Sequence, residues 1–313
     1  MQIEVRHSSS IGAEMRLFVL QPTTQAPLPA YTAGSHIDVT TPSGLVRQYS
    51  LCGDPSDRAR FSILVKKDPC SRGGSLSMHQ VSVGDVLDIG EPRNAFGLKD
   101  DHGPHLLISG GVGITPLLAM AHELTRRGDP FMLHHFGRRE GLSDLRAELG
   151  VECFGQNFAV QLDVSRNSVP GVLDQVFLAS STAKHIYTCG PSPFMAAVEA
   201  AARHHLPSAA VYSEKFQGAA WTSNPLDDFQ LTLARTGLTI NVRSDQTLIQ
   251  ALESKGVLLP TGCLEGVCGA CVTKFLNGEV VHLDDVLTDE ERNEQHLMCP
   301  CVSRAKGHLT LDL

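Results

Sequence analysis

The sequence predicts a multidomain chain: an antiparallel β-barrel over residues 1–100, a parallel α/β domain over 101–222, and a compact domain of strands and one helix over 229–313. Three observations carry that reading. The first hundred residues hold short alternating runs between turn residues. The next stretch alternates apolar strands with amphipathic helices. The last part carries four cysteines at metal-ligand spacing. A chain of 313 residues has room for two or three domains that each bury a core.

In the first region Arg60–Lys66 and Gly84–Ile89 alternate apolar and polar residues. Pro42-Ser43-Gly44, Asp54-Pro55 and Val83-Gly84-Asp85 mark turns. Many short strands with little helix suit a small antiparallel barrel. In the second region His105–Ser109 is an apolar strand that runs into Gly110-Gly111-Val112-Gly113. Thr115 then reads as N-cap and Pro116 as a first-turn residue, with Leu117, Leu118, Met120, Ala121 and Leu124 at helical spacing and Gly128 as the stop. Phe131–Phe136 and His185–Cys189 are further buried strands, the latter feeding Gly190-Pro191 and an alanine-rich helix that ends near His205. That succession is the wiring of a parallel sheet with crossover helices. His134-His135 and His204-His205 read as strand and helix residues, not as ligands.

Gln217–Asp228, small and turn-forming, reads as a linker. Beyond it, Leu231–Ala234 and Leu238–Val242 flank Thr236-Gly237 as a hairpin. A helix over Asp245–Gly256 buries Leu248, Ile249, Ala251 and Leu252. Cys271–Leu276 and Glu279–His282 surround Asn277-Gly278, which reads as a second hairpin turn.

Cys263, Cys268 and Cys271 stand as C-x4-C-x2-C, and 29 residues separate Cys271 from Cys301. This is the plant-type spacing for a [2Fe–2S] cluster. Three thiolates converge on one folded-back loop and a distant segment supplies the fourth. Gly262, Gly266 and Gly269 let the backbone approach inorganic sulfur and turn N–H groups toward it. Zinc usually takes two C-x2-C pairs, and only one is present. Met298-Cys299-Pro300-Cys301 offers two candidates for the last ligand; spacing favours Cys301, and Pro300 disfavours a regular ladder at Cys299.

Gly110–Pro116 lies between a strand and a helix start, where backbone N–H groups suit a pyrophosphate. Alone it is an incomplete fingerprint, and a plain tight turn is the alternative. Cys189-Gly190-Pro191 also ends a strand at the sheet's carboxyl edge, so the two loops together can hold a nicotinamide. On the barrel, Arg47 and Tyr49 share a strand face beside Ser50, joining a cation, an aromatic ring and a hydroxyl. Arg72-Gly73-Gly74-Ser75 resembles a phosphate cradle opening a short helix at Leu76–His79.

In order along the chain, Arg47-x-Tyr49-Ser50, Gly73-Gly74-Ser75, Gly110–Pro116, Cys189-Gly190-Pro191, Glu214-Lys215-Phe216 and the cluster loop resemble one family. It is that of the phthalate dioxygenase reductases and vanillate O-demethylase reductases, and the resemblance covers essentially the whole chain. It implies a flavin-binding barrel, a pyridine-nucleotide α/β domain and a β-grasp-like plant-type ferredoxin domain. It implies FMN, with Arg47 and Ser75 on the phosphate beside Gly73 and Gly74, and Tyr49 and Ser50 facing the flavin. Lys66 joins the cofactor-binding set. Thr115 and Cys189 are expected near the nicotinamide as catalytic residues, with Gly110, Gly111, Gly113, Gly190 and Pro191 on the nucleotide and Phe216 near the flavin. Cys263, Cys268, Cys271 and Cys301 are the expected iron ligands. Adjacent Arg138-Arg139 could attract a 2′-phosphate, which leaves NADH against NADPH open.

The expected function is an NADH-dependent reductase passing electrons through FMN and [2Fe–2S] to a separate Rieske-type aromatic oxygenase or demethylase. Alternatives are a reductase for a haem or diiron monooxygenase, against which the flavin-first domain order counts, and an NADH-reading redox sensor. No general acid–base dyad is expected. Net charge of −8 argues against nucleic-acid binding. The polar N-terminus lacks a signal peptide's apolar core, and the longest apolar stretch, His105–Leu124, is broken by Gly110, Gly111, Gly113 and Pro116. Nine cysteines then point to a reducing, cytoplasmic setting, with Cys52, Cys70 and Cys153 without a chemical role.

Overall fold

The computed structural model describes residues 1–69, 73–216 and 227–313, so most of the expected linker, Cys70 and Arg72 lie outside the described residues. The chain divides into two compact units, Met1–Glu214 and Lys215–Leu313. Among the described residues no helix is long and apolar enough to cross a membrane.

The first unit opens with β1 (Gln2–Ile11) and β2 (Met15–Pro22), followed by β3 (Ser35–Thr40), β4 (Val46–Ser50) and β5 (Phe61–Lys66). Then come α1 (Gly74–Met78), β6 (Val86–Ile89) and β7 (Arg93–Asn94). Every pairing is antiparallel, in the order β4-β3-β6-β1-β2-β5 with β7 on β3. A bridge between Leu51 and Ile63 joins the end of β4 to β5 and closes the ring. Closure removes the exposed edges that an open sheet would present. The alternation read from the sequence is the cause: Ile3 and Val5, Phe18 and Leu20, Ile37 and Val39, and Phe61, Ile63 and Val65 all turn inward to one core. Burying each such side chain contributes about 1.5–3 kcal/mol.

The same unit continues with β8 (His105–Gly110), α2 (Ile114–Arg127), β9 (Phe131–Gly137), α3 (Leu142–Leu149) and β10 (Phe158–Leu162). It ends with α4 (Val169–Ala179), β11 (His185–Cys189), α5 (Ser192–His205) and β12 (Ala210–Glu214). The sheet is parallel throughout, in the order β10-β9-β8-β11-β12. The chain therefore reverses its direction of growth between β8 and β11, where open sheets of this kind leave a ligand crevice. Both central strands are buried at every position, which is why they read as unbroken apolar runs. Gly128 caps α2 in the left-handed conformation, as expected. The start of α2 differs from the reading: the helix begins at Ile114 behind a 3-10 turn at Gly111–Gly113. Thr115 lies inside the first turn, where its hydroxyl donates to the Val112 carbonyl at 3.0 Å instead of capping.

The second unit comprises β13 (Phe229–Leu233), β14 (Thr239–Val242), α6 (Leu248–Glu253), β15 (Thr273–Val281), α7 (Asp289–Asn293), β16 (Leu297–Met298) and β17 (Arg304–Leu311). Its strand order is β14-β13-β17-β15-β16, with β13 and β17 parallel at the centre and the other pairs antiparallel. Helix α6 is shorter than expected because a capping box between Thr247 and Gln250 sets its start and Gly256, at φ +76°, ends the following turn. The buried set Leu248, Ile249, Ala251 and Leu252 is the one predicted. The Asn277-Gly278 hairpin does not exist. β15 runs straight through it, pairing with β17 on both sides, and the dipeptide forms an irregularity with register shifts at Phe275/Asn277 and Gly278/Glu279. Gly278 adopts φ +122°, and a Cβ there would stand 2.5 Å from the His308 carbonyl oxygen. Continuous ladder bonding to β17 outweighs the local turn preference.

Candidate functional site

At the carboxyl edge of the parallel sheet the Gly110–Gly113 turn and the Cys189-Gly190-Pro191 turn meet backbone to backbone. A Cβ on Gly113 would lie 2.2 Å from the Cys189 carbonyl oxygen, and one on Gly190 would lie 3.1 Å from the Gly110 nitrogen. Gly111, at φ +56°, faces open space. Beside this seam lies a cavity of about 840 Å³ whose walls include Lys66, Gly110, Gly111, Arg138, Asp163 and Pro191. The expected nucleotide residues thus divide in two. Gly110, Gly111 and Pro191 line the cavity, whereas Gly113, Thr115, Cys189 and Gly190 form the seam behind it. Thr115 and Cys189 are buried.

Cys189 stands in register with Glu214 on the neighbouring strand β12. Ser50, at the end of barrel strand β4, donates its hydroxyl to Glu214 Oε2 at 3.3 Å. Burial raises the Glu214 carboxyl to about 8, against the Ser50 bond that favours the anion. Burial also raises the Cys189 thiol well above its usual range, and the Glu214 charge adds to this. At neutral pH this corner holds a neutral carboxylic acid beside a neutral thiol. The sequence reading passed over Glu214 as a chemical group. The signal it left was an acid at the end of the strand that pairs with Cys189.

Arg47 and Tyr49 occupy one face of β4, opposite Val39 and Ile37 of β3. Tyr49 packs onto the barrel core, and burial raises its hydroxyl above the usual range. Arg47 lies across the start of α1: a Cβ on Gly74 would be 2.9 Å from Arg47 Cγ. Gly73 takes φ +106°, and the Ser75 hydroxyl accepts from the Asp68 N–H at 3.1 Å. Arg47, Gly73, Gly74 and Ser75 therefore form one group, while the Arg72 position lies outside the described residues. Lys66 belongs to the cavity, where it faces Glu14 at 3.8 Å. Arg138 donates to Glu14 at 3.1 Å, and Arg139 donates to Asp163 at 3.3 Å. Asp163 itself holds φ +54° and also accepts the Arg139 N–H at 3.0 Å. Neither carboxylate was singled out from the sequence. Phe216 belongs to the second unit, where it is half-buried.

In the second unit the loop from Cys263 to Cys271 folds back on itself through Leu264 and glycines 266 and 269, all at positive φ. The Glu265 N–H points to Cys263 Sγ at 3.2 Å, and the N–H groups of Cys263 and Ala270 point to Cys268 Sγ at 3.4 and 3.5 Å. The Cys268 thiol, with backbone N–H groups of Val267, Glu265 and Cys268, pulls Cys263 down to about 6 despite burial. The Cys299 and Cys301 thiols pull Cys271 down to about 3. Cys301 interacts with both Cys271 and Cys263 and with the Gly266 N–H, whereas Cys299 interacts with Cys271, Asp284 and Cys301. Among the described residues no group of three such side chains is arranged to hold a metal ion; the thiols meet one another. The donor set still fits an iron–sulfur cluster. Two thiols, Cys263 and Cys271, drawn toward thiolates by neighbouring thiols, N–H groups aimed at sulfur and a glycine at 262 whose Cβ would come within 3.0 Å of Cys268 Sγ suit such a cluster. Asp284, buried beside this loop, was not anticipated.

Residues 2–97 match the oxidoreductase FAD-binding domain, and residues 231–306 match the 2Fe-2S iron-sulfur cluster binding domain. The vanillate O-demethylase oxidoreductase of Pseudomonas sp. (strain HR199 / DSM 7063) is 37% identical over 289 residues, covering 91% of each chain. The solved structure of phthalate dioxygenase reductase, described as modular for electron transfer from pyridine nucleotides to [2Fe–2S], is 32% identical. It superposes with a TM-score of 0.77 over 100% of this chain and 98% of its own. An intact type IV self-sufficient cytochrome P450 monooxygenase is 36% identical with a TM-score of 0.78; this chain is covered completely and spans 41% of that one.

Proposed function

Since the chain belongs to the phthalate dioxygenase reductase family of iron–sulfur flavoprotein oxidoreductases, which pass electrons from a pyridine nucleotide through a flavin to [2Fe–2S], we propose that it uses NADH and FMN and serves a separate Rieske-type aromatic oxygenase. The observation that carries the reading is the corner where Ser50 of the barrel, Cys189 of the nucleotide sheet and Glu214 meet. NADH releases two electrons together and a cluster accepts one at a time; a bound flavin supplies the conversion between them.

The chain's own residues prepare each step. Gly110 and Gly111 bring backbone close enough to hold the nucleotide's pyrophosphate, with Pro191 against Gly110 in the same wall and Gly113 and Gly190 keeping the two turns in contact. Thr115, bonded to the Val112 carbonyl, fixes the first turn, and buried Cys189 keeps water from the seam. Arg47 and Ser75, with Gly73 and Gly74, would hold the flavin's single phosphate, with Tyr49 and Ser50 toward its ring. Glu214 stores a proton beside Ser50 and, being neutral at pH 7, opposes no arriving negative charge. Cys263, Cys268, Cys271 and Cys301 would hold the irons. Cys301 is preferred over Cys299 because it reaches both Cys263 and Cys271.

NADH is preferred to NADPH because Arg138 and Arg139 are each engaged by a carboxylate, Glu14 and Asp163. Glu14, Glu140 and Asp163 stand in the cavity wall among Lys66, Arg138 and Arg166, so three carboxylates oppose the charge of a 2′-phosphate there. A haem acceptor is the second reading, favoured by the P450 in which an equivalent of the whole chain occurs, and that match removes the objection from domain order.

The test is steady-state cytochrome c reduction by the purified protein. NADH should support it with kcat/KM at least tenfold above NADPH, and the yellow ligand released on heating should be FMN. A negligible rate would favour a sensor; equal use of NADPH would remove the coenzyme assignment. Turnover with a Rieske-type oxygenase, compared with a haem monooxygenase, separates the two acceptors.

A further inference from the structure

Asp284 sits between β15 and α7 with its carboxylate fully enclosed. It accepts from the Leu287 N–H, the Ser303 hydroxyl and Arg292 Nη2, each at 3.1 Å. Arg292 also donates to the Asp284 carbonyl at 2.7 Å, and the Ser303 oxygen accepts the Leu283 N–H at 3.3 Å. The next N–H, that of Asp285, donates to the Gly266 carbonyl at 3.0 Å. A Cβ on Gly266 would stand 2.6 Å from Val302 Cγ2 and 3.1 Å from Asp284 Cα. Two segments far apart in sequence, the Gly266 turn and Cys301-Val302-Ser303, therefore close onto one buried carboxylate. Burial opposes its ionisation, yet the bonds from Leu287, Arg292 and Ser303 keep it below the usual carboxylate range.

We propose that Asp284 is a positioning residue for the iron–sulfur cluster: it presses the fourth-thiolate segment against the Gly266 turn and, with Arg292, sets the charge beside the sulfurs. The inference rests on the reading that these cysteines hold a [2Fe–2S] cluster. Its physical content is twofold. The hydroxyl and N–H bonds hold geometry, which governs how readily iron escapes. The carboxylate neutralises Arg292, and without it the cation would favour the more negative, reduced cluster.

The experiment uses full-length holoprotein carrying D284N or S303A. D284N keeps the shape but not the charge; it should retain iron and acid-labile sulfide, lose iron to a chelator at least fivefold faster, and move the cluster's midpoint potential positive. S303A removes one anchor and leaves the charge, so iron loss should quicken while the potential stays within error of the parent. NADH–ferricyanide activity through the flavin should be unchanged in both. Parent-like release and potential in D284N would overturn the proposal, as would loss of ferricyanide activity in step with iron, which means general unfolding. If D284N fails to fold, S303A decides: release as slow as the parent's defeats the anchor. A parent protein without iron or sulfide would instead defeat the cluster reading itself.

Discussion

Glu214 owes its chemistry to neighbours on other strands, and its consequence is a pH dependence of definite sign. A carboxyl raised to about 8 in the folded chain, against an ordinary value near 4.5, is protonated at neutral pH. Raising pH through 8 places an anion beside Cys189 and Ser50, where electrons from the nucleotide are to arrive, so hydride-dependent flavin reduction should slow. The Glu214→Gln variant should lose that alkaline limb while keeping neutral-pH activity within about threefold. Stopped-flow reduction by NADH between pH 6 and 9 checks this, and a limb that persists in the variant would sink the assignment. Stability follows the same group: its contribution is fully present below pH 4.5 and declines as pH rises toward 8, because the unfolded chain ionises first. The sequence places this acid in a motif at a strand end but does not show its partner, since Ser50 is 164 positions away. Arg138 and Arg139 teach the same point. Adjacent cations suggest phosphate binding until Glu14 and Asp163, distant in sequence, are found against them.

Elements were read well where periodicity ran long and poorly where a dipeptide carried the inference. β8, β11 and α2 declared themselves through unbroken apolar runs or helical spacing. Asn277-Gly278 misled because turn preference is local, a fraction of the energy of a strand bonded along both halves to β17. Gly110–Gly113 shows how two glycines in one turn serve different ends. Gly111 has a left-handed backbone and open space, so alanine there meets conformational strain alone. Gly113 has an ordinary φ of −62° but no room, since its Cβ would penetrate the Cys189 carbonyl. Gly113→Ala should destabilise the first unit by about 1–3 kcal/mol or more through overpacking and weaken NADH binding. Chemical denaturation followed by flavin fluorescence measures it, and a variant as stable as the parent would show that the seam can open without loss.

For the whole molecule the division into Met1–Glu214 and Lys215–Leu313 separates two kinds of chemistry. The cavity at the sheet's carboxyl edge and the Ser50–Glu214 corner belong to the first unit, and all the candidate iron ligands belong to the second. Cys268→Ser should therefore abolish the cluster's visible absorption and cytochrome c reduction while leaving NADH–ferricyanide activity within about twofold. Loss of both activities would contradict a modular relay. The sequence by itself determined the order of the parts and the spacing of the candidate cysteines, because spacing and alternation are properties of contiguous residues. It also determined the two glycine turns, whose need for close backbone approach is written in composition. Only the tertiary structure decided which carboxylates matter. Glu14, Asp163, Glu214 and Asp284 meet partners that folding brings near, and the burial that raises Glu214 exists only once the chain has closed around it.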